Sequence, residues 1–205
     1  MFVIDDKFKK IIMMQVTTTP KGGLSFYTKL SESEYQVLKD YLNPYPKQIL
    51  ELGCGLGRMS IFLNKKHPSN SKYFLADASI ITPTTKNGRY GWDPGTWYND
   101  LELTKEFCEN NGLVNFEVID LAVPSLTSLR DIDFVFSVMS VGFHYPIEQY
   151  LDELKLIMKP DSLLIFGVRK GVYDNSSILD QFKSFEFRET LDESKEKFLI
   201  LKGWK

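Results

Sequence analysis

The chain is expected to fold as α/β, a doubly wound, mostly parallel sheet with helices on both faces. Three observations lead there. Short apolar runs of strand length alternate with segments whose apolar residues recur at helical spacing. One run, Ile49 to Leu52, passes into three alternating glycines, Gly53, Gly55 and Gly57, and then into Met59 to Asn64, which reads as the opening of a helix. Several runs end on an acid or a hydroxyl, at Asp77, Asp120 and Ser137. In such sheets the carboxyl ends of the strands form the ligand-binding edge.

In chain order, residues 1–46 read as an N-terminal helical or lid extension and 47–205 as the main domain. Phe8 to Met14 makes a short helix or strand, and residues 17–23 a loop. Ser31 with Glu34 has the form of a capping box. Tyr35, Leu38, Tyr41 and Leu42 then follow at helical spacing until Asn43-Pro44-Tyr45-Pro46 stops them. Phe26 and Tyr27 suit a cover over a ligand or a packing anchor equally. After the glycines, Lys72 to Ala76 is a strand ending at Asp77, and Ile80 to Tyr98 is an inserted aromatic-rich loop broken by Pro83, Gly88, Gly91 and Pro94-Gly95. Asn99 to Asn110 is a helix, Phe116 to Ile119 a strand, and Pro124 to Arg130 a short helix or turn. Asp133 to Val138 is a strand, Ile147 to Met158 an amphipathic helix, Lys159-Pro160-Asp161-Ser162 a turn, and Leu163 to Val168 a strand. Ile178 to Phe182 closes a helix, and Phe185 to Thr190 and Phe198 to Leu201 are strands joined by a polar turn at 192–195.

At 205 residues the chain suits one domain with a full core. Its net charge of −2, with Lys and Arg scattered, argues against a nucleic-acid backbone as the main partner. No apolar run approaches the roughly 20 residues of a membrane span. Asp5 and Asp6 stand where an export signal would be basic. Cys54 and Cys108 are isolated and fit no metal spacing, so they read as free thiols in a reducing cytoplasm. The expected setting is cytoplasmic, with no membrane, no metal and a small-molecule partner; oligomeric state stays open.

The glycine spacing chooses between ligands. A dinucleotide fingerprint would need Gly or Ala at position 58 for close helix packing, and Arg58 stands there. The E-x-G-x-G-x-G pattern from Glu51 to Gly57 instead resembles motif I of the class I S-adenosylmethionine-dependent methyltransferases. The D-x-V-x-S of Asp133 to Ser137, followed by His144-Tyr145-Pro146, resembles motif IV of small-molecule methyltransferases. The resemblance covers about residues 47–205. It implies a seven-stranded, Rossmann-like sheet with an antiparallel C-terminal hairpin, and S-adenosyl-L-methionine as cofactor. It also implies that Glu51, Gly53, Cys54 and Gly55 lie at the amino-acid end of the cofactor, with Cys54 a small space-filler. Asp77 and Ala78 are then at the ribose, where an acid accepts from hydroxyls. Asp120 and Leu121 are at the adenine, and Ser137 lies near the reacting methyl. A nicotinamide or flavin domain, or a chance glycine turn, are the alternatives.

Methyl transfer asks the protein to align the acceptor and, for a hydroxyl, to remove its proton. His144, just past the fourth strand, is the candidate base. His67, beside Pro68, reads as surface. Arg89, Tyr90, Trp92, Trp97 and Tyr145 are candidate substrate contacts, because rings in a loop offer stacking surface. No N-P-P-Y or D-P-P-Y tetrapeptide is present, which disfavours DNA and glutamine amino groups as acceptors. The expected function is methyl transfer to an oxygen or nitrogen of a small molecule such as a sugar or an aromatic metabolite. A protein or tRNA methyltransferase, or a non-catalytic cofactor-binding partner subunit, are the rivals.

Overall fold

The computed structural model describes residues 2–15, 23–79, 99–121, 126–189 and 196–205. Its centre is β1, Gln48–Leu52, in which Ile49, Leu50 and Leu52 are wholly buried. A strand apolar on both faces belongs in the middle of a covered parallel sheet. It pairs in parallel with β2 (Lys72–Asp77) on one side and β4 (Ile132–Ser137) on the other. β3 (Phe116–Asp120) extends the sheet beyond β2, and β5 (Met158–Arg169) lies beside β4. β7 (Glu196–Trp204) joins antiparallel to β5, and β6 (Phe182–Glu189) antiparallel to β7. The seven strands run β3-β2-β1-β4-β5-β7-β6. The order reverses at β1 and β4, where such sheets open a crevice at the strands' carboxyl ends.

Helices cover both faces. One holds α1 (Asp6–Gln15), α2 (Gly23–Leu38), α3 (Arg58–Lys66) and α4 (Leu101–Asn110), packed on Ile49, Tyr73, Leu75, Phe134 and Ile165. The other holds α5 (Leu151–Ile157) and single helical turns at Leu126–Ser128, Ile147–Gln149 and Ser177–Gln181, packed on Leu50, Leu52, Phe74, Val135 and Leu164. Among the described residues no helix is long and apolar enough to cross a membrane.

Several elements differ from the sequence expectation. α2 runs straight through Ser31, whose hydroxyl donates to the Tyr27 carbonyl one turn back, 2.9 Å. Ser31 is therefore no N-cap, and Glu34 has a different partner, described below. Tyr27 is fully buried against Phe2 and Phe107. The Lys159–Ser162 turn lies inside β5, where the pairing with β4 shifts register between Ile132 and Phe134. Pro160 is tolerated there because such an irregularity spares a ladder bond. The helix expected over Ile147–Met158 is a helical turn followed by the shorter α5, and the one closing at Phe182 is the Ser177–Gln181 turn. His67 is not simply surface: its Nε2 lies 2.8 Å from the Tyr35 hydroxyl and its ring stacks on Tyr45.

Candidate functional site

The glycine turn takes its shape from left-handed backbone, with φ of +65° at Gly53, +54° at Gly55 and +71° at Gly57. Side-chain-bearing residues avoid that region. The Gly53 amide donates to the Ala76 carbonyl at 2.7 Å, tying the turn to the end of β2. A Cβ on Gly57 would lie 2.7 Å from the Cys108 sulfur. Gly57 thus lets α4 and β2 come close to the turn, since a Cβ there would also lie 3.2 Å from Leu75. Arg58 is free to be large.

Asp77 organises the turn from the next strand. Its Oδ2 accepts from the Gly55 amide at 2.7 Å and from the Asn99 side-chain amide at 3.2 Å, and its Oδ1 accepts from the Ala78 amide at 2.8 Å. Burial raises the carboxyl pKa, and these three donors work against that rise. Asn99 also donates to the Gly55 carbonyl at 3.0 Å, and Thr104 to the same oxygen at 2.7 Å. The Gly55 backbone is thereby held through both N–H and C=O. Neither Asn99 nor Thr104 stands out in the sequence, since both read as ordinary first-turn helix residues. At the end of β3, Asp120 accepts from the Ser79 hydroxyl at 2.8 Å, and the Leu121 amide donates to the Asp77 carbonyl at 2.8 Å.

Three residues expected at the cofactor are turned into the protein here. Glu51 is 2% exposed and accepts from the Ser60 amide at 3.1 Å and hydroxyl at 2.6 Å. On β1 it shares the parity of Ile49 and so faces α3. Since Gly57 has no side chain to cap α3, Glu51 supplies the cap from below. Burial pushes its pKa up to about 7 despite the two Ser60 bonds. Ser137 is fully buried, with its Oγ accepting from the Val141 amide at 2.9 Å. Cys54 is buried, and burial raises its thiol well above the usual range.

The loop after β4 is drawn around one oxygen. The Ser140 carbonyl accepts from the amides of Phe143, His144 and Tyr145 at 3.1, 2.7 and 3.1 Å. Gly142 turns it at φ +91°, and a Cβ there would meet the Gly167 carbonyl of β5 at 3.1 Å. A Cβ on Gly53 would lie 2.1 Å from the Ser140 Cβ and Oγ, so this loop and the glycine turn touch. His144 is pushed down to about 4, first by burial and then by the positive charge of Arg169. Its imidazole is neutral at pH 7. Burial raises Tyr145, with the Asp77 charge adding to it, and raises Tyr150 to about 12, with Tyr145 and then Asp77 adding. Arg89, Tyr90, Trp92 and Trp97 lie outside the described residues. Among the described residues no cluster of His, Cys, Asp and Glu is arranged to hold a metal.

No protein-family model and no curated protein sequence matches the chain. Solved structures do. The O-methyltransferase TomG from Streptomyces achromogenes, solved with S-adenosylmethionine, superposes with a TM-score of 0.58 at 13% identity, over 99% of this chain and 92% of that one. An O-methyltransferase from Bacillus cereus, solved with S-adenosylhomocysteine, gives 0.55 at 14% identity, over 98% and 92%. A methyltransferase from Geobacter sulfurreducens gives 0.55 at 13% identity, over 99% and 98%. At these identities the likeness speaks for the fold. With its β3-β2-β1-β4-β5-β7-β6 sheet, the chain has the class I S-adenosylmethionine-dependent methyltransferase fold.

Proposed function

We propose that this protein is an S-adenosylmethionine-dependent methyltransferase that methylates an oxygen or nitrogen of a small molecule, such as a sugar or an aromatic metabolite. The observation that carries the reading is the direct contact between the Gly53–Gly57 turn and the Ser140–Tyr145 loop at the edge where Asp77 and Asp120 also emerge. On this reading a donor held on the turn has its reactive end toward the loop that carries His144. The residues suit the cofactor. The turn carries no Cβ at Gly53 or Gly55, so backbone can come close. Asp77 keeps acceptor capacity on Oδ1 for a ribose hydroxyl, and Asp120 and Leu121 flank the place of the base.

S-adenosylmethionine supplies a methyl group on a positively charged sulfur, already a good electrophile. The chain's part is to align the acceptor and to take its proton. With S-adenosylmethionine bound to supply the methyl group, neutral His144 would take the acceptor's proton on a ring nitrogen as the acceptor is methylated. Tyr145, next to His144 in the same loop, orients the acceptor.

His144→Ala tests the assignment. Turnover is expected to fall at least ~100-fold, the low end for a general base. Cofactor affinity is expected to hold, because the loop is drawn together by the His144 backbone amide rather than its ring. With the base titrating near 4, wild-type kcat/KM is expected to stay level as pH falls from about 8 to about 5, since that ratio reports the free enzyme. Turnover retained in the variant would remove His144 from the chemistry.

A further inference from the structure

We propose that the methyl acceptor carries an oxyanion, a carboxylate or a phosphate, and that Arg169 binds it beside His144. The inference rests on the methyltransferase reading and names the class of acceptor for that site. Arg169 is the last residue of β5, three positions beyond Phe166, which pairs with Ser137 at the end of β4. It therefore reaches the same edge as the Ser140–Tyr145 loop. Contact between the two is close: a Cβ on Gly167 would lie 2.0 Å from the Val138 carbonyl, and one on Gly142 3.0 Å from a Val168 methyl. The Arg169 guanidinium lies over the Phe143 ring, with Cζ 4.4 Å from its centroid. The Phe143 ring in turn meets the His144 ring edge-on at 5.0 Å.

A guanidinium seated on a ring is held in place and partly stripped of water on that side. Its planar fork of N–H groups matches carboxylate and phosphate geometry. Arg169 also acts on the candidate base itself, since its positive charge reaches the His144 ring.

The pairing has a chemical consequence. The Arg169 charge helps to hold His144 down, which makes it a weak base in the free protein. An oxyanion on Arg169 offsets that charge and raises the imidazole toward neutrality, where proton acceptance is most effective. An acceptor lacking the anion leaves the base weak. Selectivity and base strength thus come from one contact.

The test follows the imidazole resonance of His144 by NMR across a pH titration, in full-length protein saturated with S-adenosylhomocysteine. The chain has only two histidines, so His144→Ala assigns the signal. The probes are 4-hydroxybenzoate, phenyl phosphate and neutral 4-hydroxybenzamide. At least one anion is expected to raise the His144 midpoint by about 1 pH unit, the effect of an opposite charge at close range. Which of the two does so tells carboxylate from phosphate, and the amide is expected to leave the midpoint in place. Arg169→Leu should start from a higher midpoint and lose the response, while Arg169→Lys, which keeps the charge, should retain part of it. If both anions act no differently from the amide, or if Arg169→Leu responds like the wild type, the proposal is overturned. A protein that fails to bind S-adenosylhomocysteine in the same samples points instead to failure of the methyltransferase reading.

Discussion

Arg58→Met is expected to destabilise the protein by about 3–5 kcal/mol, the cost of leaving one member of a buried ion pair behind. Arg58 is the first residue of α3, directly after the glycine turn, and is 7% exposed; Glu34 of α2 is 2% exposed. The guanidinium Nη2 donates to Glu34 Oε1 at 2.9 Å and forms an ion pair with Oε2 at 2.7 Å, and Nη1 donates to the Ser31 hydroxyl at 2.9 Å. Its Cζ also lies 5.6 Å from the centroid of the Tyr27 ring. Burial works to lower the Arg58 pKa, but the charge and hydrogen bond of Glu34 together with Tyr27 and Glu51 outweigh it, so the net shift is upward and Arg58 stays charged. Removing Arg58 strands the Glu34 carboxylate in the core. Replacing both, as Arg58→Met with Glu34→Leu, should recover most of the loss, because neither charge of the pair is left behind. Denaturant midpoints of the two single variants and the double variant measure this. A single-variant loss below about 1 kcal/mol would place the pair in a wetter setting than described.

Gly53→Ala should be nearly as costly, for two separable reasons. The residue sits at φ +65°, which costs a side-chain-bearing residue roughly 1–2 kcal/mol. The new methyl would also lie 2.1 Å from the Ser140 Cβ and Oγ, an overlap worth about 1–3 kcal/mol more. Gly171→Ala isolates the first part, since its φ is +84° and nothing lies within 4 Å of the added Cβ. Ser140→Gly in the Gly53→Ala background should relieve the second part. Thermal melts of the set check the division. Equal losses at Gly53 and Gly171 would mean that the turn and the loop do not touch.

Much of the architecture was legible because it is written locally. Apolar runs such as Ile49–Leu52 and Phe134–Phe136 can hardly sit anywhere but a covered strand, and three alternating glycines need a tight turn. Asp77 and Asp120 were legible as candidates because each ends such a run. The misreadings share a cause, which is that the deciding contact is distant in sequence. Arg58 could be seen only as a departure from a fingerprint, because its partner is 24 residues away. That partner was hidden in turn. The inward face of α2 carries Tyr27, Ser31 and Glu34, so its periodicity is partly polar and a hydrophobic pattern starts only at Tyr35. Glu51 looked like a pocket acid; the pleat of β1 turns it toward α3, where an uncapped helix start needs an acceptor. Asn99 and Thr104 meet at the Gly55 carbonyl, and Asn99 reaches Asp77 as well; no residue pattern announces such contacts. His67 lies beside Tyr35 and Tyr45 only once the chain has folded.

The central claim, that the glycine turn and Asp77 form a methyl-donor site, is tested most directly by calorimetric titration of the folded protein with S-adenosylmethionine. One molecule is expected to bind per chain. Asp77→Ala should weaken that binding about 10–100-fold, the value of charge-assisted hydrogen bonds lost from the ribose and the turn. Wild-type protein that is folded yet takes up no S-adenosylmethionine, or Asp77→Ala binding as tightly as the wild type, would contradict the account.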